Sequence, residues 1–375
     1  MNYRVEALTP LLAGDGSELS PVDYMVWRDQ VNVLDQERIF RLLSRGPRLD
    51  SYLLQIKKAD KLDFTNWGGF AQNYAGRRIA FEHPSCARQW ERQHADDCHI
   101  PCFSTSPHGP YLPGSALRGA LRTAVVAARI DDKTLSFVKE SMGGERPSRR
   151  PAEAAEHRAL SRDSRAGYGD QFKALPISDS ATVDRSFLKV FMLRVAALTG
   201  APGGKPGLGW KYGSSSTFAE MAMPGTVFEG RIVERAFYGE AETMKGLHWR
   251  DTVGVRQVAE AANAYAAIAL DNHARYAAAA GLEEVAASVA GLQGRLAEIR
   301  ESGEACLVAL GWGTGLLGKT AWPKVEDEAY REVLRTQAYY SRAIRTGLPF
   351  PKTRRIVFLN DRPAALPGWV LVRFG

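Results

Sequence analysis

Apolar and polar positions alternate at period two in Tyr3-Arg4-Val5-Glu6-Ala7-Leu8, which predicts a half-buried strand ended by Pro10 and Gly14-Asp15-Gly16. Tyr24-Met25-Val26 and Val31-Asn32-Val33 flank Asp29-Gln30 as a hairpin, and a short helix is expected from Gln36 to Leu43. Between Ser44 and Gly109 the periodicity fades among Trp, Gly, Cys and His residues, the pattern of an insertion with little core of its own. Ser115 is placed to N-cap a helix over 116–128. Residues 143–170 are polar, Arg-rich and nearly free of large aliphatics, so a flexible loop or linker is expected there. Strand character resumes at 172–177, 187–197 and 227–233. Val255, Val258, Ala262, Tyr265 and Ala269 then step by three and four. After Gly281 so do Val285, Val289, Leu292, Leu296 and Ile299, which makes the seam of an antiparallel helical hairpin. A Gly-rich loop at 311–318, a basic loop at 342–355 and strands at 356–359 and 369–374 close the chain.

Strands and helices alternate in each half, with hairpins and no long parallel run, so the expected fold class is α+β. The count fits two ferredoxin-like βαββαβ units. The first would span 1–142 and carry the insertion 44–109; the linker 143–170 follows. The second would span 171–375 and carry the helical insertion at about 246–304.

With 375 residues the chain can bury two cores, and 45% hydrophobic with 24% charged residues is a soluble globular composition. No apolar run approaches the roughly 18 residues of a membrane span. The start of the chain lacks a basic-then-apolar leader, and four cysteines make no disulfide framework. A cytoplasmic protein is the expectation. The net charge of +7 is mild, but its distribution is uneven. Ser341 to Gly375 holds seven basic residues against one acid, whereas Gly239 to Glu304 holds ten acids against six bases. A polyanion is the natural partner of the basic end, with a solvated charged face as the competing reading.

Gly313-Thr314-Gly315-Leu316-Leu317-Gly318-Lys319-Thr320 satisfies the Walker A expression. A P-loop also needs a helix after it, and Pro323 leaves room for barely one turn. A nucleotide-hydrolysing site is therefore the weaker reading, and a glycine loop with a Lys that admits a phosphate closely is the stronger. His83, Cys86, His94, Cys98, His99, Cys102 and His108 crowd into 26 residues. His83-x2-Cys86 and Cys98-x3-Cys102 have ligand-pair spacing, so a structural zinc is one reading. No standard finger is matched, and no metal or other cofactor is assigned. Catalytic frames such as G-x-S-x-G and H-E-x-x-H are absent. His108 and His248 (beside Arg250) are the candidates for a metal-independent ribonuclease, and ordinary structural histidines are the alternative. The RRM aromatic signature is absent too.

Several segments, in order, resemble the RAMP superfamily of CRISPR proteins, and most closely the fifth Csm subunit of type III-A effector complexes. They are Leu12-Ala13-Gly14-Asp15-Gly16, Tyr111-Leu112-Pro113-Gly114-Ser115 running on through Arg118-Gly119 to Arg122, Ile177-Ser178-Asp179-Ser180, and Phe218-Ala219-Glu220. Later come Gly311-Trp312-Gly313-Thr314-Gly315, Pro351-Lys352-Thr353-Arg354-Arg355 and Pro367-Gly368-Trp369. The resemblance implies a pair of RRM-type domains capping the crRNA filament near its 3′ end. Such a subunit sits against the backbone RAMP subunit and the small helical one, and is needed for guide trimming. It implies no catalytic residue. Relatives often carry a His near Leu12, and this chain does not.

Residues and resemblance together point to a non-catalytic, sequence-tolerant RNA holder. The expected contacts are Ser115, Arg118, Arg122, Gly313, Gly315, Lys319, Lys352, Arg354 and Arg355. Arg118 and Arg122 stand at i and i+4 near a helix N-terminus whose free amides attract anions, with salt bridging to neighbours as the competing reading. The expected partners are crRNA, with target RNA as a further candidate, and the other Csm-type subunits. A metal-independent RAMP endoribonuclease acting on CRISPR precursor RNA is the alternative function, and the P-loop NTPase a third.

Overall fold

The computed structural model describes residues 1–44, 46, 48–58, 61–62, 73–143, 150–160, 170–200, 204–213, 215–249, 251–300 and 303–375. Strand β1 (Asn2–Ala7) buries Tyr3, Val5 and Ala7 and turns Asn2 and Arg4 outward, as its alternation requires. After a short β2 (Glu18–Leu19), β3 (Tyr24–Trp27) and β4 (Gln30–Leu34) form the expected hairpin. Its turn is Arg28-Asp29, one residue earlier than expected, with both residues at positive φ. Helix α1 (Gln36–Leu43) is N-capped by Asp35.

The region expected to have little core of its own is built of short elements that pack on the body of the chain. It holds α2 (Arg48–Lys57), β5 (Ala75–Ala80), α3 (Pro84–Arg92), and the short strands β6 (Ile100–Pro101), β7 (Thr105–Ser106) and β8 (Gly109–Pro110). β5 adds to β4. Ile79, Phe81, Cys86, Trp90 and Ile100 pack against Val190, Met192, Phe218 and Phe358. Glu220, 1% exposed, receives both guanidinium nitrogens of Arg77 (2.8 and 3.2 Å), which fastens the insertion to the body. Periodicity missed this region because its elements are short and mix aromatic and cysteine residues among the aliphatic ones.

Helices α4 (Gly114–Arg129), α5 (Asp132–Gly143) and α6 (Pro151–Leu160) follow. The expected linker is thus helical at 151–160, while 144–149 and 161–169 lie outside the described residues. The strand expected at 172–177 is replaced at its start by a 3-10 turn, Gln171–Ala174, capped by Asp170. Next come β9 (Leu188–Thr199), β10 (Gly207–Trp210), β11 (Thr217–Ala222) and β12 (Val227–Arg231). Then come α7 (Ala241–Gly246) and the hairpin of α8 (Val255–Ala280) and α9 (Glu283–Ile299), which turns at Gly281 in the left-handed region. The chain ends with β13 (Ala305–Ala309), α10 (Glu328–Arg335), α11 (Ala338–Ile344), β14 (Thr353–Leu359), β15 (Arg362–Ala365) and β16 (Trp369–Phe374).

One sheet runs β12-β1-β16-β13 and the other β10-β9-β14-β15, with β11 also on β9; every pairing in them is antiparallel. The architecture is mixed α and β. β1 lies between strands of the C-terminal half, so the division at 142 and 171 does not follow the sheets. The first sheet is buried on both faces. Val308, Val370 and Val372 join one core cluster with α4 and the start of α8, while Leu307, Trp369 and Leu371 join another with the end of α8 and α9. α8 therefore crosses the β13 edge, and Asn263 sits at the crossing. Its amide donates to the Ala305 carbonyl (2.9 Å) and accepts from the Leu307 N–H (3.0 Å), as a neighbouring strand would. Among the described residues no helix is long and apolar enough to cross a membrane.

Candidate nucleic-acid interface

The Gly-rich loop after β13 is fixed by its packing. The Trp312 N–H donates to the Leu12 carbonyl at 2.7 Å, and a Cβ on Gly311 would run into that same carbonyl. Gly311 also has a φ of 86°, so only glycine fits. Gly313 is covered by Pro367, whereas Gly315 is exposed, and a Cβ there would meet nothing within 4 Å. The chain then makes a single 3-10 turn, Leu316–Gly318, and the next helix begins at Glu328. The helix that a P-loop needs is missing, so the Walker A match is only a string.

This loop is a wall common to two concavities. The first is a cavity of about 600 Å³ bounded by Gly313–Leu317, α11 and the start of β14. Lys211, Arg342, Lys352, Arg354 and Arg355 line it, and among the described residues no carboxylate does. The Arg355 guanidinium lies 4.3 Å from the Trp312 ring centre, which holds it upright beside the glycine loop. The second is a groove of about 610 Å³ lined by Gly14, Gly16, Ser115, Gly119, Thr123, Trp312 and the exposed Lys319. Thr314 borders both. The structure thus brings Gly313, Gly315, Lys352 and Arg355 to one cavity and Ser115 and Lys319 to the adjoining groove.

Three expected contacts are engaged within the chain. Arg118 binds Asp170, and Arg122 binds Glu156 at 2.6 Å and reaches Asp170 at 3.5 Å. Arg354 is only 7% exposed. Its Nε donates to His273 Nδ1 at 3.1 Å, a second nitrogen donates to the Thr353 carbonyl, and the group lies 4.5 Å over the Tyr276 ring. Burial pushes Arg354 down to about 10, so it stays charged at neutral pH. Burial, with the Arg354 charge adding to it, holds His273 well below its usual range, and the neutral ring accepts the Arg354 proton. Strand alternation explains the split: Arg354 points inward and Arg355 outward.

The helix start also differs from the expectation. Pro113 holds the N-cap position of α4 and Ser115 is exposed. The Gly114 N–H donates instead to Asp179 Oδ1 at 2.8 Å, and the Leu112 N–H to Ser180 Oγ at 2.9 Å. A Cβ on Gly114 would overlap the Ile177 and Ser178 carbonyls. The Pro-Gly-Ser and Ser-Asp-Ser segments are therefore one contact, and a carboxylate of the chain already faces the helix terminus.

No three His, Cys, Asp or Glu side chains converge to hold a metal among the described residues. His83 instead caps α3 through the Ser85 N–H. Burial pushes the Cys86 thiol up to about 11 and that of Cys102 up to about 12. His108 and His248 are exposed, and neither lines the cavity or the groove; Arg250 lies outside the described residues. Sequence reasoning did not select Lys211, Tyr212, Tyr339 or Arg342. Their signal was the interleaving of aromatic and basic residues in Trp210-Lys211-Tyr212 and Tyr339-Tyr340-Ser341-Arg342.

No family model matches the chain. Two curated relatives do, both described as CRISPR system Cms protein Csm5, from Mycobacterium tuberculosis strains CDC 1551 and H37Rv. Each is 27% identical over 296 residues, covering 73% of this chain and 74% of the relative. The chain is Csm5-like. The fold of this Csm5-like chain matches the crystal structure of T. onnurineus Csm5 with a TM-score of 0.62 at 19% identity, over 98% of this chain and 99% of that one. It also matches a chain of the cryo-EM structure of a Csm-crRNA-target RNA ternary complex from a type III-A CRISPR-Cas system. There the TM-score is 0.64 at 21% identity, over the whole of both chains.

Proposed function

We propose that this chain is the guide-RNA-binding subunit of a type III-A CRISPR effector, holding the crRNA backbone near its 3′ end. The observation that carries the reading is the cavity with five cationic side chains and, among the described residues, no carboxylate, walled by the glycine loop. Backbone amides and guanidinium groups in that setting grip phosphate and ignore base identity, which suits variable guides. The contacts in this reading are Ser115, Gly313, Gly315, Lys319, Lys352 and Arg355, joined by Lys211 and Arg342. Arg118, Arg122 and Arg354 hold the walls. The protein works in the cytoplasm with target RNA, the backbone RAMP subunit and the small helical subunit, supports guide maturation, and breaks no bonds itself. The four-stranded antiparallel sheet β12-β1-β16-β13, with helices packed on it, supports a ferredoxin-like unit there.

The test is fluorescence anisotropy of labelled single-stranded RNA across a salt series. Binding should weaken steeply with salt, with a log–log slope of about −0.7 per phosphate contact, and should be indifferent to sequence. Absence of binding at moderate ionic strength, by the chain alone and in its assembly, would sink the proposal.

A further inference from the structure

Among the described residues the two most exposed large aromatic side chains are Tyr339 at 74% and Tyr212 at 71%, and both line the same cationic cavity. Neither is there for core packing. Tyr212 also sits at a φ of 60°, a conformation that disfavours a bulky side chain, so the fold holds it on show at a cost. Its neighbours are cations: the Lys211 ammonium lies 5.1 Å from its ring centre. Tyr339 is steadied from behind, since its ring meets that of Tyr340 edge-on at 5.4 Å, and Tyr340 meets the buried Phe350 in the same way at 6.0 Å. Backbone gripping needs none of this. Phosphate is held by charge and amides, whereas a flat, exposed, braced ring is what an unpaired base stacks on.

We infer that the cavity takes unpaired nucleotides whose bases stack on Tyr212 and Tyr339 while their phosphates lie on Lys211, Arg342, Lys352 and Arg355. This rests on the RNA reading above and adds the class of ligand: flipped-out or terminal single-stranded nucleotides, not duplex and not sugar-phosphate alone. A volume of about 600 Å³ accommodates one or two of them. Stacking accepts any base, so it keeps the sequence tolerance that a holder of variable guides requires.

The experiment uses the full chain and single-stranded RNA carrying 2-aminopurine at successive positions, beside the same RNA with abasic sites there. Stacking should quench the fluorophore at one or two positions, and the quench should vanish in Tyr212→Ala and Tyr339→Ala. Each variant should bind intact RNA about tenfold more weakly, bind abasic RNA as the wild type does, and keep the wild-type salt slope. Tyr212→Phe should bind normally, since the ring and not the hydroxyl acts. Normal salt-dependent binding without quenching, or tyrosine variants with wild-type affinity, would overturn the inference and leave the backbone reading intact. Loss of subunit association with unchanged RNA affinity would overturn it in favour of a protein partner at this cavity. Failure of the wild type to bind any RNA would overturn both.

Discussion

Two basic clusters of this chain look alike in sequence and differ in what surrounds them. Arg118 and Arg122, at i and i+4 on α4, face Asp170 and Glu156 and are closed off by them. Lys352 and Arg355, with Lys211 and Arg342, face a cavity that no carboxylate lines among the described residues. Between the two cases stands Arg354, a member of the second cluster by sequence and of the first by use, bound to His273 and lying over Tyr276. A guanidinium group is available to a ligand only when its own chain has left it without an acid.

The contrast is broken most severely at Arg354. Arg354→Ala leaves a buried histidine and backbone carbonyls without their donor, so a loss of about 3 kcal/mol in stability is expected from chemical denaturation. Lys352→Glu with Arg355→Glu should instead leave the melting curve in place. It should lower affinity for single-stranded RNA about tenfold, roughly 1.4 kcal/mol, and make the salt dependence shallower. Asp179→Ala removes the acceptor from the Gly114 N–H, and a cap is worth about 1 kcal/mol in a thermal or denaturant melt. Arg118→Ala should do least. Its pair is partly exposed, so it should cost under about 1 kcal/mol and move RNA affinity by no more than about twofold.

A pH series separates Arg354 from the rest. His273 is held neutral in the folded protein, so the unfolded chain takes up its proton first as the solution is acidified. The His273 contribution should be fully present above about pH 6.5 and should fall as the pH drops below that value. Melting temperatures measured from pH 7.5 to 5 should decline, and His273→Gln should flatten the decline.

The helical hairpin, the β3–β4 turn region and the strands near either end of the chain were legible because each repeats its apolar period long enough to be counted. The insertion was not, since its core is made with the second sheet, through Phe81 and Trp90 against Val190 and Phe358. Site legibility divided in the same way. Glycine and lysine positions around 313–319 and 352 carried a readable signal, whereas the state of Arg118 and Arg354 depended on Asp170 and His273, distant in sequence. The ordered family segments have a physical meaning that spacing alone hid. Leu12 meets Trp312 and Gly114 meets Asp179, so these segments are halves of contacts.

Asn263 has a bearing on how copies of this protein meet one another. A peripheral strand with a free row of donors and acceptors is a template on which another chain can zip itself. At β13 the carboxamide of Asn263 occupies that row at Ala305 and Leu307. Copies crowded together in solution are therefore denied one route to lateral, amyloid-like growth by this side chain and the helix that carries it.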